Sequence, residues 1–387
     1  MDVEEKIKLV KAPPTEEILT EGDLRTAFEL DIPLNHYIGF EISGLLHLGT
    51  GLITTLKIAD LQKAGIKCNI FLADYHAWIN EKLGGDLDYI KKTAVNFYKD
   101  AFKLSLEVAG ADPDKIKFII GSELYENLGN KYWTTALEIA KHTNLARIKR
   151  SITIAGRKLG EAVNFALLWY PVMQVADIFA LGANLAHGGM DQRKAHVVAR
   201  DVAMKLKYSM PLKRMHNSCE EQYKPIAMHT HLILGMQEPP IWPIPKNKLK
   251  ETILAMKMSK SKPNTAVYLT DSEENIRSKL MAAFCPAKHI EYNPILDWTK
   301  HIIFKLNKEL TIEREKKYGG EIHFNNYVEL EKMFAEGRIH PIDLKNAVAN
   351  ALIDILKPIR EHFENPKYHE MMHELEQRTI GIKKPQI

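Results

Sequence analysis

Residues 36–50 read His36-Tyr37-Ile38-Gly39-Phe40-Glu41-Ile42-Ser43-Gly44-Leu45-Leu46-His47-Leu48-Gly49-Thr50, and this stretch decides the fold. From His36 to Ile42 it has the apolar density of a short buried strand, and Ser43-Gly44 is a turn. After Leu48-Gly49 the pattern changes to a helical period, with Leu52, Leu56 and Ala59 on one face and Gly65 as the stop. Asn69 to Ala73 follows as a second apolar strand. Strand, helix and strand within about forty residues make the βαβ unit of a parallel sheet. Ile116 to Ile120 is a third strand, preceded by a helical stretch from Leu87 to Ala109, so the first half is expected to be doubly wound.

Outward from this core, residues 123–168 are mainly helical and carry Arg147, Lys149 and Arg150, as an insertion into the sheet domain would. The prolines of residues 236–250 are those of a connector. Beyond about residue 275 the pattern is all-helical. Its clearest part is the stripe Leu344, Ala347, Val348, Ala351, Leu352, Ile355 and Leu356, which starts after Asp343 and meets a kink at Pro358. The expected fold class is therefore α/β. A Rossmann-like, doubly wound parallel sheet occupies 1–215 with the helical insertion at about 123–168, 216–275 is a linker, and 276–387 is an all-helical C-terminal domain.

The bulk numbers set limits on function. The chain has 387 residues, 45% apolar and 26% charged, the composition of a globular protein with a sizeable core. Its apolar runs, Phe165 to Met173 among the longest, are too short to span a bilayer, so no membrane role is expected. The N-terminus is charged and has no apolar signal core. Cys68, Cys219 and Cys285 are odd in number and scattered, which argues against a disulfide framework and for a reducing cytoplasm. A net charge of +4 permits a polyanionic partner without demanding one.

Two segments suit phosphate. His47-Leu48-Gly49-Thr50 sits between a strand and a helix N-terminus, where glycine lets a nucleotide approach the backbone and the helix end favours an anion. Alone, it reads equally well as a turn with an incidental histidine. Lys257-Met258-Ser259-Lys260-Ser261 places two lysines around hydroxyls, a clamp for a departing pyrophosphate, or else a solvated basic loop. Occurring together in this order, about 200 residues apart on a sheet fold, they are hard to ascribe to coincidence. The pair resembles the double signature of class I aminoacyl-tRNA synthetases. One departure is Thr50, which stands where that family usually has a second histidine. Its hydroxyl can still bond a phosphate or ribose oxygen but cannot become cationic.

Tyr170, Gln174 and Asp177 fall at i, i+4 and i+7, one face of a helix. They suit a structural hydrogen-bond network or a polar site. The spacing, together with Tyr37, resembles the amino-acid pocket of tyrosyl-tRNA synthetases, most closely the archaeal and eukaryotic branch. That resemblance, which runs from about residue 20 to residue 360, implies that Tyr37 and Asp177 bind a phenolic hydroxyl and that Tyr170, Gln174 and Gln192 hold an α-ammonium group. It implies ATP binding by Gly39, Glu41, Gly44, Gly49 and Asp191, and catalytic roles for His47, Thr50, Lys257, Lys260 and Ser261. Asp191, within Gly188-Gly189-Met190-Asp191-Gln192, could equally cap a helix, and Glu41 could be a plain strand-end carboxylate. The resemblance further implies contacts to tRNA by Arg150, Arg193, His340 and Asp343, against which stand salt bridges for the arginines and a helix N-cap for Asp343.

The implied reaction joins tyrosine to ATP as an adenylate and then transfers the tyrosyl group to the 3′ end of tRNA(Tyr). ATP is a substrate accompanied by Mg2+, no tightly bound cofactor is needed, and the protein is a homodimer. A tryptophanyl enzyme of the same subclass is the nearest alternative. Tyr37 with Asp177 argues against it, because an indole offers a donor and no acceptor. A non-charging tRNA-binding paralogue and a small-metabolite nucleotidyltransferase are more distant. His216-x-x-Cys219 and His229-x-His231 are set aside as ordinary histidines with one stray cysteine, and no metal site is expected. The tail after about residue 365 matches nothing assignable.

Overall fold

A computed structural model describes residues 1–157, 160–216, 219–245, 247, 249–260 and 262–380. The chain divides into two compact units. Met1–Ser43, Lys57–Lys99 and Asp112–His231 form the first, and Gly44–Leu56, Asp100–Ala111 and Leu232–Ile387 the second.

The first unit is built on a six-stranded sheet. Its strands are β1 (Thr15–Leu19), β2 (His36–Glu41), β3 (Asn69–Ala73), β4 (Lys117–Ile120), β5 (Leu185–Gly189) and, after a hairpin of β6 (Lys213–His216) and β7 (Cys219–Gln222), β8 (Ile226–Thr230). The order across the sheet is β1-β8-β5-β2-β3-β4. All neighbours run parallel except the edge strand β1, which is antiparallel to β8. Every residue of β3 and of β8 is buried, which is why parallel strands covered on both faces read as continuous apolar runs. β8 lies within the stretch expected as a linker. Its five residues alternate poorly, and only pairing with β5 and β1 marks them as strand.

Register fixes the functional positions. Ile38 faces Ile70 and Phe40 faces Leu72 across β2 and β3, while Tyr37 faces Ala186 on β5. From β2 the chain moves outward to β3 and β4 and then returns to the other side of β2 as β5. The carboxyl ends of β2 and β5 therefore flank a switch point, where open α/β sheets leave a crevice. The expected insertion contains the helices Asn130–Lys141 and Leu145–Ser151, with Asn144 capping the second through Arg147 N–H at 2.9 Å. Buried Lys57 donates to the carbonyls of Leu9, Val10 and Ala12 at 3.0, 3.2 and 2.7 Å, satisfying the end of the Val3–Lys11 helix.

The second unit is dominated by helices, with one antiparallel ribbon of β9 (Leu310–Ile312) and β10 (Ile322–Phe324) among them. The helix Pro341–Phe363 buries the expected stripe. Its N-cap is His340, whose Nδ1 accepts from Ile342 N–H at 3.3 Å, and Asp343 sits three residues inside, in the first turn, where its charge suits the helix dipole. The helix carries on through Pro358, which is exposed, as is Asp354, whose carbonyl would have been bonded by the N–H that proline lacks. A further helix, His369–Ile380, occupies the tail. Among the described residues no helix is long and apolar enough to cross a membrane.

Two histidine pairs lie buried in the first unit: His36 Nε2 is 3.0 Å from His187 Nδ1, and His196 Nδ1 is 3.1 Å from His229 Nε2. Burial lowers the pKa of His36 to about 3. A group whose folded pKa lies below its unfolded one contributes full stability above the unfolded value and loses it as the pH falls. Between pH 6.5 and 5 the unfolded chain takes up a proton that folded His36 refuses, a loss of at most about 2 kcal/mol. Urea denaturation at pH 7 and pH 5 should show a smaller acid loss for His36→Gln than for the wild type. Equal losses would mean that His36 titrates normally in the folded protein.

Candidate active site

In the first unit the site is organised by a carboxylate that has no exposure. The helix Tyr170–Ala180 begins with proline at its first turn, a position where the missing N–H costs nothing, and its spacing turns Tyr170, Gln174 and Asp177 to one side. Asp177 Oδ1 accepts hydrogen bonds from the hydroxyls of Tyr125 at 3.0 Å and Tyr132 at 2.9 Å. Oδ2 has no hydrogen-bond partner, and His76 Nε2 stands 3.6 Å from it. Burial holds the Asp177 carboxyl well above the usual carboxylate range, and the two tyrosine hydroxyls oppose that shift.

Aromatic rings form the surrounding wall. Tyr125 and Tyr132 have ring centroids 4.1 Å apart, and Phe71 packs against both Tyr37 and Tyr125. Tyr37 is buried, and burial followed by the Asp177 charge raises its pKa. Its hydroxyl explains Gly39: a Cβ there would lie 2.7 Å from the Tyr37 oxygen, so only glycine leaves the hydroxyl in place. The His76 ring meets the Tyr170 ring edge-on at 4.6 Å.

The remaining polar groups of this unit line up along β2 and beyond β5. Gln174 Nε2 donates to Gln192 Oε1 at 3.1 Å, and Gln192 Nε2 donates to the Ile154 carbonyl at 3.2 Å. That chain fixes both amides and leaves Gln174 Oε1 buried without a hydrogen-bond partner. Gly188 is required because a Cβ would lie 2.8 Å from the Gln192 side chain. Asp191 follows at the half-buried turn Met190–Gln192 rather than as an N-cap. Glu41 Oε1 accepts from Asn80 at 2.5 Å, and its Oε2 is 3.6 Å from Lys82, so it is no idle strand-end carboxylate. Arg193 Nε donates to Glu17 at 2.8 Å, and Arg150 is exposed. His229, part of the motif set aside for metal, is 2.8 Å from that same Glu17 and stacked on His196.

The second unit holds the phosphate-type residues. His47 is buried, and its Nδ1 accepts from the backbone N–H groups of Gly49 at 3.1 Å and Thr50 at 3.3 Å. Burial lowers its pKa to about 3, and Lys260 and Lys257 add to the shift. The ring is therefore neutral with its proton on Nε2, a donor of fixed direction. Thr50 donates its hydroxyl to the His47 carbonyl at 3.3 Å. Gly49 accommodates Ile233, whose Cγ2 would sit 2.7 Å from a Cβ.

Backbone pairing ties each signature to a neighbouring segment of the unit. Leu48 N–H donates to Val267 O at 3.0 Å and Leu269 N–H to Leu46 O at 2.9 Å, while Met258 N–H donates to Ile233 O at 2.8 Å. Lys257 follows the helix Leu249–Met256, and Lys260 Nζ reaches the Gly44 carbonyl at 3.4 Å. Ser261 lies outside the described residues. Sequence reasoning missed Tyr125, Tyr132 and His76. No periodicity links them to Asp177, since the tyrosines stand on other helices and join it only through their hydroxyls.

Residues 31–357 match the family model described as tRNA synthetases class I (W and Y). The chain belongs to that family. Tyrosine–tRNA ligase of Thermococcus gammatolerans is 56% identical to it, over 97% of this chain and 99% of the relative, and that of Pyrococcus furiosus is 55% identical over 96% and 98%. The crystal structure of tyrosyl-tRNA synthetase from Pyrococcus horikoshii complexed with L-tyrosine superposes with a TM-score of 0.92 at 54% identity, covering 96% of this chain and 100% of that one. Tryptophanyl-tRNA synthetase of Plasmodium falciparum shares the fold, at a TM-score of 0.64 and 18% identity over 97% and 93%. Membership makes ATP a substrate.

Removing one of the two donors to Asp177 tests the pocket directly. Tyr132→Phe leaves a buried acceptor with one bond fewer and should destabilise the protein by about 1–3 kcal/mol in urea denaturation. A change within error would mean that the hydroxyl of Tyr132 does not support Asp177 in solution.

Proposed function

We infer that this chain is a tyrosine–tRNA ligase. The observation that carries the reading is Asp177, a fully buried carboxyl with one oxygen held by two tyrosine hydroxyls and the other unpartnered inside an aromatic pocket. Such an oxygen suits a ligand that is flat, apolar and tipped with a hydroxyl. In this reading the phenol of tyrosine donates to Asp177 Oδ2 and Tyr37 shares the same hydroxyl. Tyr170, Gln174 and Gln192 take the α-ammonium group, Gln174 through the Oε1 that has no hydrogen-bond partner of its own. The relatives named tyrosine–tRNA ligase support the substrate.

The chemistry is displacement at phosphorus. A carboxylate oxygen of tyrosine attacks the α-phosphorus of ATP, the bond to the bridging oxygen of pyrophosphate breaks, and pyrophosphate leaves with the magnesium that accompanied the nucleotide. His47 donates from Nε2 to an α-phosphate oxygen, and Lys257 and Lys260 stabilise the charge that collects on the leaving group. Thr50 and Ser261 supply hydroxyls to the same phosphates. Gly39, Gly44 and Gly49 meet the nucleotide through their peptide groups, while Asp191 takes the ribose hydroxyls and Glu41 lies along the adenylate. No side chain becomes a covalent nucleophile. Positioning and charge stabilisation carry the rate. In the second step a terminal ribose hydroxyl of tRNA attacks the carbonyl of the adenylate and AMP departs.

Further assignments belong to the same proposal. Residues 1–215 with the insertion at 123–168 serve catalysis, 216–275 carry the lysine signature, and 276–387 read the anticodon through His340 and Asp343. His340 does so while capping its helix, and Asp343 from the first turn beside it. Arg150 meets the acceptor end of tRNA. Arg193 joins it through its terminal nitrogens, since Glu17 is bonded at Nε. The enzyme works as a homodimer in the cytoplasm.

Asp177→Ala tests the substrate. Loss of the partner to a buried phenol, worth about 1–3 kcal/mol, should lower kcat/KM for tyrosine about tenfold while phenylalanine loses less, collapsing the ratio of the two. Pyrophosphate exchange measures both substrates, with ATP binding confirming a folded variant. A preserved preference for tyrosine would place hydroxyl recognition elsewhere, and wild-type activation of tryptophan would end the reading.

A further inference from the structure

The family match ends at residue 357, yet the helix His369–Ile380 beyond it reaches the nucleotide signature. Met372, Leu375 and Thr379, at i, i+3 and i+7, form its buried side. Thr379 Oγ1 donates to the Leu375 carbonyl at 2.6 Å, which directs an oxygen lone pair outward, and there it accepts the Leu45 N–H at 3.2 Å. The other end of that peptide unit is the Gly44 carbonyl, the oxygen that receives Lys260 Nζ. One peptide thus has the tail at its N–H and the lysine signature at its C=O.

Gly44 makes this arrangement a matter of choice. Its φ of +119° lies in a region that glycine enters freely, and ψ of a glycine, the rotation that turns the Gly44–Leu45 peptide, is likewise little restricted, so the backbone by itself does little to decide which way that peptide faces. The hydroxyl of Thr379 decides it. Leu45 is buried, and turning the peptide would strand its N–H away from water. Space is closed as well, because a Cβ on residue 44 would lie 2.5 Å from Thr379 Oγ1.

We infer that Thr379 is a positioning residue for amino-acid activation, the hydroxyl that orients the Gly44–Leu45 peptide and through its carbonyl places Lys260. The tail helix is then part of the adenylation machinery. This rests on the proposed role of Lys260 at the departing pyrophosphate. Bonds to both ends of one peptide polarise each other, so losing the hydroxyl weakens the seat of the lysine as well as freeing the peptide.

The test compares full-length Thr379→Val and Thr379→Ser with the wild type by single-turnover adenylate formation. Valine keeps the volume and loses the hydroxyl. It should slow activation about three- to tenfold with the KM for tyrosine unchanged, whereas serine should stay within about twofold of the wild type. In a Lys260→Ala background, itself slowed at least about tenfold, the valine should cost nothing more, since the two act as one unit. Hydrogen exchange at the Leu45 amide should quicken in the valine variant. If Lys260→Ala activates normally, the role of Lys260 falls and this inference with it. If Lys260→Ala is slow but folded Thr379→Val is not, or if the two losses simply multiply, only the positioning role falls. Should the valine variant not fold, Thr379→Ala, smaller and equally without a hydroxyl, goes through the same comparison.

Discussion

A carboxyl group with no access to water has to be matched by the protein around it, and Asp177 shapes the first unit for that reason. Its Oδ1 draws the hydroxyls of Tyr125 and Tyr132 from two further helices, and those rings, tilted against each other with centroids 4.1 Å apart, close the aromatic wall. Phe71 and Tyr37 complete the wall from adjacent parallel strands, whose register is set by Ile38 against Ile70. The glycine at 39 follows in turn from the position of the Tyr37 hydroxyl. Burying an ionisable group without full pairing is costly, and folds keep such groups where the deficit is useful.

The second unit answers a different electrostatic requirement. Phosphate chemistry needs positive charge, yet a cationic imidazole beside two lysines would repel them. Burial and those lysines keep His47 neutral, and the two backbone N–H groups on Nδ1 choose its tautomer. The ring then offers a hydrogen bond where full charge would be a burden. In the proposed reaction Lys257 and Lys260 supply the charge, from a segment tied back through Met258 to Ile233.

Much of this was legible in the residues, and what was not has a common cause. β3 was readable to the residue because a fully buried parallel strand is an unbroken apolar run. The Tyr170–Ala180 face was readable because helical spacing is local. β8 was hidden because five short residues declare themselves only by pairing with partners far away in the chain. Tyr125, Tyr132 and Thr379 were hidden for the same reason, as each acts through one hydroxyl aimed at a group more than forty positions distant. The N-cap of the long helix was misplaced by three residues, since Asp343 is the commoner capping type and His340 takes the role by accepting through Nδ1.

These hidden contacts share a construction. Asp177 is held at Oδ1 and presents Oδ2, His47 is held at Nδ1 and carries its proton on Nε2, and the Gly44–Leu45 peptide is held at its N–H and presents its carbonyl. In each case a two-ended polar group has one end satisfied by the protein, and that bond fixes the direction of the other and, for His47, where its proton lies. The advantage is entropic and electrostatic together. The presented atom does not have to be ordered or titrated when the ligand arrives, so less binding energy is lost before chemistry begins. In the proposed function the same construction sharpens selection. A ligand lacking the hydroxyl leaves Asp177 Oδ2 without a partner in a site too buried for water to supply one readily, and an indole would bring a donor but no acceptor for Tyr37. Discrimination of this kind comes from what the wrong ligand fails to satisfy, and it is as strong as the burial around the orphaned atom.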